Sequence, residues 1–335
     1  MQGLIVAPAW IGDAVLAQPL FQRLKERHPD LELDALAPTW VAPVLARMPE
    51  IRHTHASPFA HGQLALGERW HLARQLAAQG YDAAWVLPNS LKSALIPWMA
   101  GIPLRVGYTG EARYGILNRR HTLDKKATPL MAERFAQLAE APGAALARPL
   151  PQPRLISDPD QRQATLDALE LERPIKLAVF CPGAEYGPAK RWPPRHFAAL
   201  AALLGEQGWC VWLLGSPKDK AVGEEIAALA PGRVRNLCGR TRLDQAIDLL
   251  AQADHVVCND SGLMHVAAAL GRPLTALYGS SSPGFTPPLS DKAGVLSLGL
   301  ECSPCFKREC PLGHLRCLED LGPLKVLAAI EEARS

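Results

Sequence analysis

Residues 3–8 (Gly-Leu-Ile-Val-Ala-Pro) form a short apolar run that breaks at Ala9-Trp10-Ile11-Gly12-Asp13. A run of that length ending in a glycine turn predicts a buried strand. Over residues 14–27 the apolar positions recur at helical spacing, with Val15, Leu16, Leu20 and Leu24 on one side. His28-Pro29 stops the helix, because a residue preceding proline is pushed out of the α region. Residues 31–37 alternate as a strand does, and 83–87 are apolar again. The pattern restarts later with strands over 175–181, 209–214, 255–258 and 274–278, each followed by a small polar loop. Strands alternating with helices imply parallel βαβ units and an open α/β sheet. Ligands of such sheets sit outside the carboxyl ends of the strands.

Between the two runs of elements, residues 141–153 are rich in Ala and Pro, and Asp158-Pro159 follows. That shift in composition marks a linker. Two α/β halves so joined predict a cleft between them. The expected division is an N-terminal domain over 1–155, a C-terminal domain over 172–320, and a C-terminal helix over 321–335 that packs back on the first domain. A length of 335 residues suits two domains of roughly 150 each.

With 48% hydrophobic and 21% charged residues, the chain has the composition of a globular protein and not a disordered one. No stretch reaches the ~18 apolar residues of a membrane span. The N-terminus has no basic region before its apolar run, so it does not read as a signal peptide, and the expected location is the cytoplasm. The net charge of +3 is unevenly spread: residues 1–155 carry 17 Lys+Arg against 12 Asp+Glu. The excess is densest over 105–126, with Arg105, Arg113, Arg119, Arg120, Lys125 and Lys126 against Glu111 and Asp124. This stretch is either a solvated face or an attractor for an anionic partner.

Three stretches carry candidate chemistry. Asp260-Ser261-Gly262-Leu263-Met264-His265 follows an apolar strand and opens a helix. Backbone N–H groups there form an anion site, or Asp and Ser simply cap the helix. The loop Cys181-Pro-Gly-Ala-Glu-Tyr-Gly-Pro-Ala-Lys190-Arg191-Trp192-Pro193 carries two adjacent cations. They either lie over a diphosphate or are solvated on a surface. Asp13 follows the first strand, where its carboxylate can take a proton from a sugar hydroxyl, cap the next helix, or do both. No G-x-x-x-x-G-K-[ST] is present, and no G-x-G-x-x-G follows the first strand, which disfavours a P-loop nucleotidase and a dinucleotide oxidoreductase.

Six blocks in order resemble the ADP-heptose:lipopolysaccharide heptosyltransferases nearly end to end. They are Pro8-Ala-Trp-Ile-Gly-Asp13, Leu87-Pro-Asn-Ser-Leu-Lys-Ser-Ala94, Gly110-Glu-Ala-Arg-Tyr-Gly115, the loop from Cys181 to Pro193, Asn259-Asp-Ser-Gly-Leu-Met-His-Val-Ala267, and Ser281-Ser-Pro-Gly-Phe-Thr-Pro-Pro288. The resemblance implies a GT-B fold, two Rossmann-like domains facing a central cleft. It implies inverting transfer of heptose from ADP-heptose to the first heptose of the lipopolysaccharide inner core, with a heptosyl-Kdo-lipid A acceptor and no metal or other cofactor in the chemistry. Asp13 matches the general base and Lys190 the lysine on the donor phosphates. Arg191, Asp260, Ser261, Gly262 and His265 fall in the diphosphate and sugar loops, and Gly215, Ser216 and Asp219 in the region near the adenosine. Glu185 and Tyr186 stand where relatives carry hydroxyls, so phosphate contacts there fall to backbone N–H groups. Asn89, Lys92, Arg113, Arg119 and Arg120 are expected to hold the acceptor's carboxylates and phosphates. Residues 94–104 are either ordinary core or a patch on the cytoplasmic face of the inner membrane. The competing readings are the same chemistry on another inner-core acceptor and a non-catalytic nucleotide-sugar binding protein.

Cys302-x2-Cys305-x4-Cys310-x6-Cys317, with His314 nearby, stands apart from these blocks. Four thiolates so spaced suit a tetrahedral structural zinc, although they do not form paired C-x2-C knuckles. Reduced buried thiols and a disulfide are the alternatives. Some relatives lack these cysteines, so the transfer chemistry is not expected to depend on them.

Overall fold

A computed structural model describes residues 1–59 and 64–334; Ser335, where the expected C-terminal helical segment ends, lies outside them. The chain forms two compact units, Met1–Arg154 and a second from Leu155 on. The first is built on β1 (Gln2–Val6), β2 (Glu32–Pro38), β3 (Ile51–Ser57), β4 (Ala83–Val86), β5 (Leu104–Tyr108) and β6 (Arg119–His121). The second uses β7 (Leu177–Cys181), β8 (Cys210–Leu213), β9 (Val234–Asn236), β10 (His255–Asn259), β11 (Leu274–Leu277) and β12 (Ala293–Leu296).

Each unit holds one six-stranded sheet. The orders are β3-β2-β1-β4-β5-β6 and β12-β11-β10-β7-β8-β9. Every neighbouring pair of strands is parallel. Both are the doubly wound order 3-2-1-4-5-6, with the winding reversing between β1 and β4 in one unit and between β7 and β10 in the other. β7 and β10 are buried along their whole length, as strands covered on both faces must be.

The expected helix over 14–27 is two helices, Ile11–Leu16 and Gln18–Arg27, joined at Ala17. Pro19 explains the break: it has no N–H to donate to the carbonyl four residues earlier. The strands β3, β5, β6, β9 and β12 were not singled out by periodicity. β3 (Ile-Arg-His-Thr-His-Ala-Ser) and β6 (Arg-Arg-His) are polar, and β3, β6, β9 and β12 lie at sheet edges. Arg105 interrupts the apolar run of β5.

In the second unit Phe180, Trp192, Phe197, Leu200, Leu213 and Ile226 form the centre of one core. The last helix, Pro323–Glu332, expected on the first domain, instead buries Val326 and Ile330 in this core of the second unit. In the first unit the helix Leu91–Met99 buries Ala94, Ile96 and Pro97 and leaves Trp98 half exposed, so the stretch over 94–104 is core along one side only. Among the described residues no helix is long and apolar enough to cross a membrane.

Candidate functional site

The switch point of the second sheet gathers the two candidate loops of this unit, the one from Cys181 to Pro193 and the one after β10. Asn259, fully buried at the end of β10, fastens them together. Its Oδ1 accepts from the Trp192 backbone N–H at 2.9 Å, and its Nδ2 donates to the Pro182 carbonyl at 2.7 Å. Asn259 stood inside a recognised block but was not singled out, because its role depends on two partners distant in sequence. Next to it the Lys190 ammonium lies 2.6 Å from Oδ2 of Asp260. Lys190 is therefore not a solvated surface lysine; it keeps 17% side-chain exposure and Asp260 only 5%. The Asp260 carboxylate is thus engaged with a cation, and the helix Gly262–Ala269 begins at a Ser261 whose side chain makes no cap hydrogen bond. The first N–H groups of that helix and the Lys190 ammonium stand on adjacent loops, a combination suited to a diphosphate.

His265 sits one turn into this helix, 4% exposed, with no hydrogen-bond partner at Nδ1. Burial, aided by the Lys190 charge and opposed by Asp260, pushes its imidazole down to about 4. It is a neutral group at physiological pH.

The other donor candidates act mainly on loop shape. Asp219 turns inward, where its Oδ2 accepts from the Ser216 N–H at 2.9 Å and from the Ser216 hydroxyl at 2.7 Å. Gly183 and Gly215 leave room for that carboxylate, since a Cβ on Gly183 would stand 2.4 Å from it and one on Gly215 2.8 Å from the Asp219 Cβ. Glu185 is ion-paired with Lys218 at the surface. Tyr186 donates its hydroxyl to the Phe306 carbonyl at 2.9 Å. Arg191 reaches the Ala184 carbonyl at 3.5 Å, and its Nε is buried without a partner.

In the first unit Asp13 lies in the first turn of Ile11–Leu16, beyond the carboxyl end of β1 at the switch point. Trp10 is the residue at the cap position, so Asp13 is inside the helix and not its N-cap. Across the switch point, β4 leads to Asn89 and the helix carrying Lys92.

Arg113 corrects an expectation. It is 1% exposed, and its guanidinium is committed to the carbonyls of Pro88 (2.8 Å), Gly110 (3.3 Å) and Tyr108, and to Asn89 Oδ1 (3.1 Å). Burial lowers its pKa from the ordinary arginine value. A guanidinium spent on these acceptors braces the loop over 108–113 and orients Asn89; it does not reach out to an acceptor sugar. Glu111 and Ala112 in that loop have φ of 44° and 52°, a left-handed conformation costly for residues with a Cβ. The Glu111 carboxylate accepts from the Leu91 N–H at 2.7 Å. Arg119 and Arg120 are exposed on the edge strand β6, with Arg120 5.1 Å from the Tyr114 ring centre. Together with Leu104, Asn118 and Pro142 they line an open cavity of ≈ 580 Å³.

The four C-terminal cysteines are free thiols. All four line one small cavity of ≈ 20 Å³. Backbone N–H groups of Leu315, Leu312, His314 and Gly313 face the Cys310 sulfur and lower its thiol pKa. Burial raises that of Cys317, as do the neighbouring sulfurs of Cys302, Cys310 and Cys305. As the side chains stand, no three His, Cys, Asp or Glu among the described residues are grouped closely enough to hold a metal ion.

Residues 69–316 match the model of glycosyltransferase family 9 (heptosyltransferase). The chain is 47% identical to lipopolysaccharide heptosyltransferase 2 of Salmonella typhimurium, covering 100% of this chain and 99% of the relative. It is likewise 47% identical to the Escherichia coli protein of that name, over 98% and 97%. Among solved structures, E. coli ADP-heptose LPS heptosyltransferase II superposes with a TM-score of 0.90 at 44% identity, covering 99% of this chain and 98% of that one. A family 9 glycosyltransferase from Veillonella parvula shares the fold alone, with a TM-score of 0.84 at 22% identity over 99% and 96% of the chains.

Proposed function

Because the chain belongs to glycosyltransferase family 9, the heptosyltransferases, and has their GT-B fold, we propose that it transfers L-glycero-D-manno-heptose from ADP-heptose onto the first heptose of the lipopolysaccharide inner core. The second unit takes the donor and the first the acceptor. The observation that carries the reading is the Lys190–Asp260 pair beside the start of Gly262–Ala269, at the switch point of the second sheet.

The transfer is one displacement. Asp13 removes a proton from an acceptor hydroxyl, whose oxygen attacks the anomeric carbon on the face opposite the diphosphate. The bond to the diphosphate breaks, and ADP departs with the electron pair. Charge develops on the phosphate oxygens as the bond lengthens. Lys190 and the N–H groups at Ser261 and Gly262 meet that charge, which is where fixed cations and dipoles accelerate a reaction most. Neutral His265 lines the buried side of the same turn. Arg191, Gly215, Ser216 and Asp219 shape the donor loops. Asn89, Lys92, Arg119 and Arg120 meet the anionic acceptor, with Arg113 holding Asn89 in place.

No metal is proposed in the chemistry. The acceptor is lipid-bound, and the reading places the enzyme peripherally on the cytoplasmic face of the inner membrane. The first unit exposes Trp10, Trp40, Trp98 and Tyr114 in addition to its basic side chains, and aromatic and cationic groups favour a lipid–water boundary.

Incubation with ADP-heptose and defined truncated cores, with products weighed by mass spectrometry, tests the proposal. Addition of one heptose to a core that already bears one is the expected result. Addition only to a core bearing none, or release of ADP without a glycosylated product, overturns it.

A further inference from the structure

We propose that Cys302, Cys305, Cys310 and Cys317 bind one zinc ion, and that the loaded knuckle is the brace that sets the loop carrying Lys190. The second half of this inference rests on the donor reading of the second unit.

As the side chains stand they are not grouped closely enough to hold an ion, but several features around them suit one. Between Leu296 and Arg316 the chain makes no helix or strand. So long an irregular stretch in a compact domain needs something other than backbone ladders to hold it. All four cysteines line one cavity of ≈ 20 Å³, room for about one water-sized sphere. Ser280 also lines it, 1% exposed, with no partner for its hydroxyl. Phe306, directly after Cys305, and Leu315, two residues before Cys317, hold φ of 53° and 49°. Non-glycine residues keep that conformation only where the surroundings impose it. Four thiolates around a dication leave a net negative charge, and the backbone N–H groups facing the Cys310 sulfur are placed to offset it. Loading draws the sulfurs in around the cavity and releases their protons.

The stretch between Cys305 and Cys310 is also the surface on which the Lys190 loop rests. Ala189 donates its N–H to the Arg308 carbonyl at 3.0 Å. Gly187 packs so closely that a Cβ there would stand 2.5 Å from that same carbonyl oxygen. The Tyr186 hydroxyl is tied to the Phe306 carbonyl, and Phe306 N–H donates to the Ser280 carbonyl at 2.6 Å. The Arg308 and Lys190 cations both approach the Tyr186 ring, at 5.4 and 5.2 Å from its centre. An ion that fixes the 305–310 segment therefore fixes the backbone from which Lys190 reaches Asp260. Lys190 remains the group on the phosphates, and the knuckle is a positioning element.

The test uses the full-length protein. Native mass spectrometry and elemental analysis count the metal, and calorimetry measures ADP affinity before chelation, after it, and after zinc is restored. The expected results are one zinc per chain, its loss in Cys305→Ser, and a reversible fall in ADP affinity of at least about five-fold on chelation, the lower end of ordinary coupling between sites. In Lys190→Ala the same chelation leaves ADP affinity unchanged. An apo mass, or a mass lowered by disulfide formation, overturns the metal site. An equal loss of affinity with and without Lys190 overturns the brace. Should chelation unfold the protein, Gly187→Ala answers instead by wedging a methyl group against Arg308. It is expected to keep its zinc and lose ADP affinity, and unaltered ADP affinity overturns the brace. A zinc-loaded chain that binds no ADP overturns the donor reading, and the link to the donor with it, while the zinc count stands on its own.

Discussion

Lys190 and Asp260, seventy residues apart, hold each other at 2.6 Å in a part-buried ion pair. The aspartate keeps the ammonium oriented beside the helix start, so on the proposed function the cation is in place before a phosphate arrives. Removing one partner of such a pair strands the other charge away from water, at a cost of about 3–5 kcal/mol when fully buried. Lys190→Met is expected to lower the melting temperature by several degrees and to weaken ADP binding. Asp260→Asn relieves that stranded charge, so Lys190→Met/Asp260→Asn should regain stability without regaining transfer. A melting curve and an ADP titration for each variant decide this; additive stability losses would disprove the pairing.

Asp13→Asn removes the proposed base while keeping the side chain's size. Transfer should fall by at least about 100-fold, the lower scale of general base catalysis. ADP affinity should not change, because the proposed donor site is in the other unit. A single-turnover assay with bound donor separates the two quantities, and full turnover would exclude Asp13 as the base.

Arg113 and Arg119 should part company. Arg113→Lys cannot serve the three carbonyls and the Asn89 side chain together, and unpaired buried acceptors cost about 1–3 kcal/mol each. Its effect is therefore expected in thermal stability. Arg119→Ala, on an exposed edge, should melt as the parent does and show its effect in the acceptor KM.

Stability should decline on the acid side of neutrality. His255 and His265 are buried, and burial pushes both imidazoles down to about 4 from an ordinary value near 6.5. The unfolded chain takes up these protons first, so stability that is full above about pH 6.5 is lost as pH falls towards 4. Asp34 works at lower pH. Burial opposes its carboxylate, but hydrogen bonds from Arg52 and Tyr81 outweigh that and hold it below the usual range. Its contribution goes only as pH drops through that lowered value. Denaturant titrations at several pH values measure the slope, and His255→Gln should flatten it between pH 6.5 and 4.

The central strands were legible because each is an apolar run soon followed by glycine or proline, as after Val6, Cys181 and Asn259. The segments directly after them carry Asp13, Lys190 and Asp260, so candidate chemistry could be read from position alone. The edges were not legible. β6 reads Arg-Arg-His, and β3 places a polar residue at most positions because only one neighbour covers it. Arg113 was misread for a related reason: residue type announces a cation, whereas its partners at Pro88, Asn89 and Tyr108 come together only when β4 and β5 are side by side. Lys190 and Asp260 were found separately, but nothing in their spacing says that they touch. The supporting role of residues 305–310 was invisible too, since it consists of backbone carbonyls.

The same winding order occurs twice along this chain, and that recurrence has an evolutionary consequence. Each half delivers its recognition loops to a single spot, the point where its own winding reverses, and carries its own core beneath them. On the proposed division of roles, drift in the loops after β1 and β4 would re-tune which glycan is accepted without disturbing the grip on the nucleotide after β7 and β10. A lineage with that division would diversify the glycan it builds while drawing on one activated sugar.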